Sequence, residues 1–290
     1  MFTHFDLQGA DGVRLHAVAA GDSGPLILFL HGFPEFWQAW HGQLDDFGRD
    51  FRAVALDLRG YNLSAKPKGV AAYTLPRLLD DIRQVLRTLS PDGPAILVGH
   101  DWGGIIGWAL ARESPELLHR LVIINAPHPA IFFRELKKSV RQQLASSYAL
   151  YFQMHVVAEI TLRAFNYAAL RAMVFGVSAK PQRFSPKLRA AYHDAWSQPH
   201  ALSATLNYYR NPRTLKRVLD SPLSWVIQVP TLVLWGDKDP ALRHTNLDGI
   251  GDYVKRLTLR RHPSATHWLV HEEPEWVNSA IRDFVAAESS

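Results

Sequence analysis

The stretch Ala95-Ile96-Leu97-Val98-Gly99-His100-Asp101-Trp102-Gly103-Gly104-Ile105-Ile106-Gly107-Trp108 decides how the rest of the chain is read. Its apolar start, Ala95 to Val98, runs into Gly-His-Asp-Trp-Gly, and an apolar, helix-compatible segment follows at once. That pattern is a buried strand, a very tight turn and a helix, with a carboxylate at the apex. Glycines on either side let strand and helix crowd together and tolerate the strained backbone that pushes the central side chain outward. This is the layout of a nucleophile elbow, G-x-S-x-G, with aspartate in the place of serine. A phosphate-cradling turn is the competing reading, but the spacing fits neither G-x-G-x-x-G nor a P-loop with its Lys-Ser/Thr ending.

A chain of 290 residues holds one large domain, or a core with an inserted subdomain. Apolar residues make up 47% and charged residues 20%, an ordinary globular balance. The net charge of +5 is mild and no Lys/Arg run exceeds two residues, so neither nucleic acid nor a membrane surface is an expected partner. The absence of cysteine excludes disulfides, thiolate chemistry and Cys-zinc sites. Met1 to Asp6 lacks the basic start and apolar run of a signal peptide, and no stretch approaches the length of a membrane span. The expectation is a cytoplasmic monomer or homodimer.

Outward from the elbow, Leu26–Leu30, Arg52–Leu56, Leu121–Ile124 and Thr231–Leu234 are short apolar runs of the kind buried on both faces of a parallel sheet. Val13–Ala19 and Val254–Leu259 read as further strands. Phe36–Phe47, Leu75–Leu89 and Glu275–Ala286 read as helices. Between Ile131 and about Leu219 no buried strand is found. Helices with wide apolar faces follow one another there: Phe132–Gln143, Tyr148–Phe175, Pro186–Trp196 and Leu202–Tyr209. The expected fold is therefore α/β, a doubly wound, mostly parallel sheet with an inserted all-helical lid over the carboxyl ends of the strands. Residues 1–129 form the first part of the core, 130–219 the lid and 220–290 the second part of the core.

An elbow nucleophile needs a histidine, an acid and an oxyanion hole, with acid and histidine following it in the chain. Asp239, just past the Thr231–Leu234 strand, is the acid candidate, with Asp237 as competitor. His267 lies in the loop between the last strand and last helix and is preferred to His262 and His271. The backbone N–H groups of Phe33, in His31-Gly32-Phe33-Pro34, and of Trp102 are the oxyanion candidates. Aspartate changes the chemistry, because it is ionised near neutral pH and attacks a saturated carbon, forming an ester. His267 with Asp239 then activates the water that hydrolyses that ester. A halide leaving group wants N–H donors, whereas an epoxide oxygen leaves as a basic alkoxide and wants a proton donor such as tyrosine.

His31-Gly32-Phe33-Pro34-Glu35, Asp57-Leu58-Arg59-Gly60-Tyr61, Gly99-His100-Asp101-Trp102-Gly103-Gly104 and Trp235-Gly236-Asp237-Lys238-Asp239 together resemble the α/β-hydrolase-fold epoxide hydrolases, over nearly the whole chain. The resemblance implies Asp101 as nucleophile, Asp239 as acid and His267 as base, with no metal and no cofactor. It places two lid tyrosines that protonate the epoxide oxygen at Tyr148, in Ser147 to Gln153, and Tyr209, in Asn207 to Asn211. It implies a cis peptide before Pro34, and a small apolar epoxide and water as the partners, with Phe33, Trp102, His155 and Trp268 lining the substrate site. Fluoroacetate dehalogenases place a histidine near His155 but carry arginine where this chain has Trp102. Haloalkane dehalogenases carry tryptophan there, paired with a second halide donor, often asparagine, where this chain has Phe33. A dehalogenase is thus the alternative reading, and a non-catalytic ligand-binding protein on the same fold the second alternative.

Overall fold

The computed structural model describes residues 2–211 and 225–287. Its frame is an eight-stranded sheet of β1 (Thr3–Gln8), β2 (Arg14–Ala20), β3 (Leu26–Leu30), β4 (Arg52–Leu56), β5 (Ala95–His100), β6 (Leu118–Ile124), β7 (Thr231–Gly236) and β8 (Leu257–His262). The spatial order is β1-β2-β4-β3-β5-β6-β7-β8. Strands β3 to β8 are parallel, while β2 pairs antiparallel with both β1 and β4. The chain therefore winds from β3 to β4 in one direction and from β5 to β8 in the other. The reversal lies between β3 and β5, where open α/β sheets form a crevice at the carboxyl ends of their strands.

The core helices are α1 (His41–Phe47), α2 (Leu75–Leu89) and α3 (Trp102–Glu113). Between β6 and β7 come α4 (Pro129–Lys138), α5 (Val140–Ala145), α6 (Tyr148–Tyr151), α7 (Val157–Arg171), α8 (Pro186–Ser197) and α9 (Ala201–Leu206). After β8 come α10 (Leu269–Glu272) and α11 (Pro274–Ala286). Strict alternation splits each central strand between two cores. Leu26, Leu28 and Leu30 of β3, with Leu97 of β5, pack on the face covered by α2 and α3. Ile27, Phe29, Ile96 and Val98 pack on the face covered by α1 and α11. Burial on both faces is why these strands are uninterrupted apolar runs. Among the described residues no helix is long and apolar enough to cross a membrane.

Strands β3 to β7 of the parallel sheet lie where the apolar runs put them, but several expectations need correction. β1 was not foreseen, since it buries only Leu7. The helix expected over 36–47 starts only at His41, after a 3-10 turn at Trp37–Trp40. The Trp37 N–H donates to Asp57 Oδ1 (2.8 Å), which holds Phe36 extended. The expected helix 132–143 is broken at Ser139, whose hydroxyl accepts the Gln142 N–H (3.2 Å) and so caps α5. The expected helix 148–175 is broken at Val156 (φ 67°) and at Phe165, Asn166 and Tyr167 (φ 50°, 56° and 57°). Packing overrides propensity here: Tyr167 is buried against Trp196 and His193, and Asn166 Oδ1 lies 2.6 Å from His193 Nε2. The strand expected at 254–259 runs from Leu257 to His262. The junction expected at 219/220 lies outside the described residues.

Candidate active site

The elbow is built by the absence of side chains. Asp101, between β5 and α3, has φ 49° and ψ −117°, a conformation that L-residues reach only under constraint. A Cβ on Gly103 would lie 2.1 Å from the Leu30 carbonyl oxygen, so only glycine lets α3 start against the end of β3. A Cβ on Gly32 would lie 2.3 Å from both Cβ and Oδ1 of Asp101. The loop after β3 therefore closes directly over the carboxylate. Its Phe33 N–H donates to Asp101 Oδ1 at 2.7 Å. His31 fixes that loop, donating from Nδ1 to the Gly32 carbonyl (2.9 Å) and accepting the Leu58 N–H at Nε2 (3.1 Å). The Phe33–Pro34 peptide is cis. The N–H of Trp102 opens α3 and so has no acceptor within the helix.

Asp101 Oδ2 faces His267, whose Nε2 is 3.7 Å away. On the far side of the imidazole, His267 Nδ1 donates to Asp239 Oδ2 at 2.6 Å. The remaining lone pairs of Asp239 are filled by the Ala241 and Leu242 N–H groups (both 2.9 Å) and by Asn125 Nδ2 (2.8 Å). The competitors go elsewhere. Asp237 pairs with Arg261 at 2.8 Å near the surface, His262 approaches Glu273 (3.7 Å), and His271 binds Glu35 (2.7 Å).

Burial pulls the His267 pKa down, but the Asp239 charge and hydrogen bond, helped by Asp101, outweigh it and hold the group up at about 9. Burial pushes Asp239 up, yet His267 and its other donors leave it below the usual carboxylate range. The two directions agree: Asp239 and His267 form a buried pair in which charge is favoured on both.

Tyr148 and Tyr209 come together above this cluster from opposite ends of the helical segment. Their ring centroids are 5.9 Å apart, and Tyr209 meets Trp102 at 5.2 Å and Phe33 at 5.4 Å. Burial and the charge of Asp101 raise the pKa of both hydroxyls. They therefore stay protonated through the neutral range. The Trp102 side chain, in edge-to-face contact with the Tyr209 ring, pulls the Tyr209 hydroxyl slightly the other way. The neighbouring Tyr208 is spent on the core, donating to the Arg59 carbonyl at 2.7 Å.

Of two further expected site residues, one lies in an outer groove and one packs beside His267. His155 is exposed and lines an outer groove with Val156, Glu159, Ile160 and Arg163, away from Asp101. The proximity expected from its place in the chain is undone by the break at Val156. Trp268 touches the His267 ring (5.0 Å), but it is buried and its indole N–H donates to the Met173 carbonyl at 3.0 Å. Sequence reasoning also missed three polar residues. Asn125 (φ 41°) ends β6 and links Asp239 to the Gly236 N–H (3.0 Å). Glu35 and His100 form a fully buried pair (2.8 Å), and His100 Nε2 donates to the His267 carbonyl at 2.9 Å. Burial pushes Glu35 up, but His100 and His271 hold it well below the usual range. A polar residue closing a buried strand was the available signal for Asn125 and His100.

Known proteins carry the same frame. The family described as alpha/beta hydrolase fold matches residues 25–274. The chain is similar to AB hydrolase superfamily protein YfhM of Bacillus subtilis, with 39% identity over 95% of each chain. It is similar to epoxide hydrolase 4 of Mus musculus, with 37% identity over 96% of this chain and 78% of that one. Among solved structures, a Bacillus megaterium epoxide hydrolase in complex with an inhibitor superposes with a TM-score of 0.90 at 38% identity, covering 98% of this chain and 100% of that one. Matched along nearly its whole length in fold and sequence, the chain belongs to the epoxide hydrolases of the α/β-hydrolase fold family.

Proposed function

We propose that this chain is an epoxide hydrolase that opens an epoxide to a vicinal diol through an ester on Asp101. The observation that carries the reading is the division of the Asp101 carboxylate: Oδ1 is held by the Phe33 N–H and Oδ2 faces His267, beneath Tyr148 and Tyr209. Oδ2 attacks an epoxide carbon, the ring C–O bond breaks, and the leaving alkoxide takes one proton from the Tyr148–Tyr209 pair while the other hydroxyl hydrogen-bonds to it. As the carboxylate becomes an ester, its negative charge disappears from beside both hydroxyls, which makes them stronger acids as the alkoxide forms.

The same loss of charge acts on the base. Asp101 is one of the charges that keep the His267 pKa at about 9. Esterification removes it and lowers that pKa, which favours the neutral imidazole, the form able to accept a proton, at the step that needs one. His267, held by Asp239, then takes a proton from water as the water attacks the ester carbonyl. The oxyanion is received by the Phe33 and Trp102 N–H groups. Collapse releases the diol and regenerates the carboxylate, and the proton taken up by His267 restores the tyrosine that gave one. The helical segment serves as a lid, and the aromatic ring of Phe33, Trp102, Phe152 and Tyr209 favours an apolar substrate.

The test is a panel of aryl and alkyl epoxides, haloalkanes and fluoroacetate, with diol and halide both measured. Diol from an epoxide, with no halide from the other substrates, is expected. Halide release without diol formation overturns the reading in favour of dehalogenation.

A further inference from the structure

The short helix α10 begins two residues after His267 and ends in Glu272, a carboxylate with no solvent exposure. All four of its hydrogen-bond donors come from two places. From the base loop, the Thr266 N–H donates to Oε2 (2.7 Å) and the Thr266 hydroxyl to Oε1 (2.6 Å). That hydroxyl in turn accepts the Trp268 N–H at 3.3 Å, so the residues before and after His267 both lead back to Glu272. From the lid, the Ser178 hydroxyl and the Ala179 N–H each donate to Oε1 at 2.7 Å. Neighbouring contacts run along the same seam: the Trp268 indole reaches the Met173 carbonyl, and Lys180 pairs with Glu273 at 2.6 Å. The lid is thus seated, on this side, on the loop that carries the base.

Resting on the reading of His267 as base, we propose that Glu272 is its positioning residue, setting the loop of residues 266–268 relative to the lid. Glu272 touches no reacting atom. It acts through Thr266, and a shift of a few tenths of an ångström there moves the imidazole off the line to water and ester. The proposal separates the two half-reactions. Attack by Asp101 and proton donation by Tyr148 and Tyr209 do not use His267 as a base, whereas ester hydrolysis does. Glu272→Gln keeps the shape and turns an amide N–H₂ toward one of the donors, leaving that donor unpaired in the interior. Thr266→Val keeps the shape and removes only the hydroxyl link.

The experiment is rapid-quench single turnover with styrene oxide, following the Asp101 ester by mass spectrometry and the diol by chromatography. In both variants ester formation is expected within about twofold of the parent and ester hydrolysis slowed about tenfold or more, so that ester accumulates. An equal fall of both steps is a merely structural effect and overturns the proposal, as does unchanged hydrolysis. A second readout needs no substrate. The far-downfield proton NMR signal of the His267 Nδ1–H is expected to broaden and shift in Glu272→Gln, and an unchanged signal overturns the proposal. If the parent forms neither ester nor diol from any epoxide, the functional reading fails, and the NMR arm still decides the role of Glu272.

Discussion

The elbow and the helical segment between β6 and β7 hold Asp101 and the two tyrosines by different means. Asp101 is fixed by backbone: a positive φ, a glycine pressed against its side chain and an N–H on its oxygen. Tyr148 and Tyr209 are fixed by ring packing, from a segment that leaves Leu150 74% and Phe165 89% exposed. Backbone constraint is nearly all-or-none, because a glycine that gains a Cβ has nowhere to go. Packing is graded, because rings shift by fractions of an ångström against one another. The core is therefore expected to fail abruptly and the lid by degrees.

The sharpest break is at Asp101. Asp101→Asn removes the attacking carboxylate, and diol formation from an aryl epoxide is expected to fall by about 10⁴-fold or more. His267→Gln should leave alkylation intact and slow turnover by about 10³-fold, with one ester per chain seen by mass spectrometry. In the lid, Tyr148→Phe and Tyr209→Phe are each expected to slow alkylation by about 10–100-fold, since the partner hydroxyl remains, and the double variant to lose more than either. Equal and complete loss in each single variant would erase the graded behaviour assigned to the lid.

Two stability tests sharpen the same contrast. Gly32→Ala forces a methyl into Asp101 and is expected to cost about 1–3 kcal/mol, read as a lowered midpoint in urea. The lid counterpart is Glu159, which takes a bidentate hydrogen bond from Arg210 (2.6 and 2.9 Å) beside Tyr209. Burial pushes its carboxyl up, but Arg210 brings it to about 2 from 4.5. A depressed folded-state pKa contributes stability above the unfolded value, and that contribution is lost as pH falls from 4.5 toward 2. Glu159→Gln is expected to lower Tm by a few degrees at pH 7 and to match the parent near pH 2, with kcat changed about twofold at most.

Legibility followed the same division. Core strands were readable because burial on both faces enforces uninterrupted apolar runs, and the elbow because its glycines have no substitute. The preference for Asp239 over Asp237 rests on position in the loop, and the two differ in their contacts: Asn125, Ala241, Leu242 and His267 converge on Asp239, while Arg261 draws Asp237 outward. The Asn125 contact joins residues more than a hundred positions apart and leaves no local pattern. The lid helices were misread because no glycine or proline marks the breaks at Ser139, Val156 and Phe165–Tyr167. A side-chain cap imposes the first and tertiary contacts of Tyr167 the last, while the place of His155 follows from the break at Val156.

The unequal treatment of the two Asp101 oxygens has a consequence in isotopic bookkeeping. On the proposed mechanism Oδ2 leaves with the diol and is replaced from water, while Oδ1 stays under the Phe33 N–H. In ¹⁸O-water the first diol from each chain then carries no label and the second carries it in full, as if each molecule remembered one turnover and no more. Were the carboxylate free to rotate, that memory would blur over successive turnovers. The sharpness of the step from first to second product thus times the grip of a single backbone N–H.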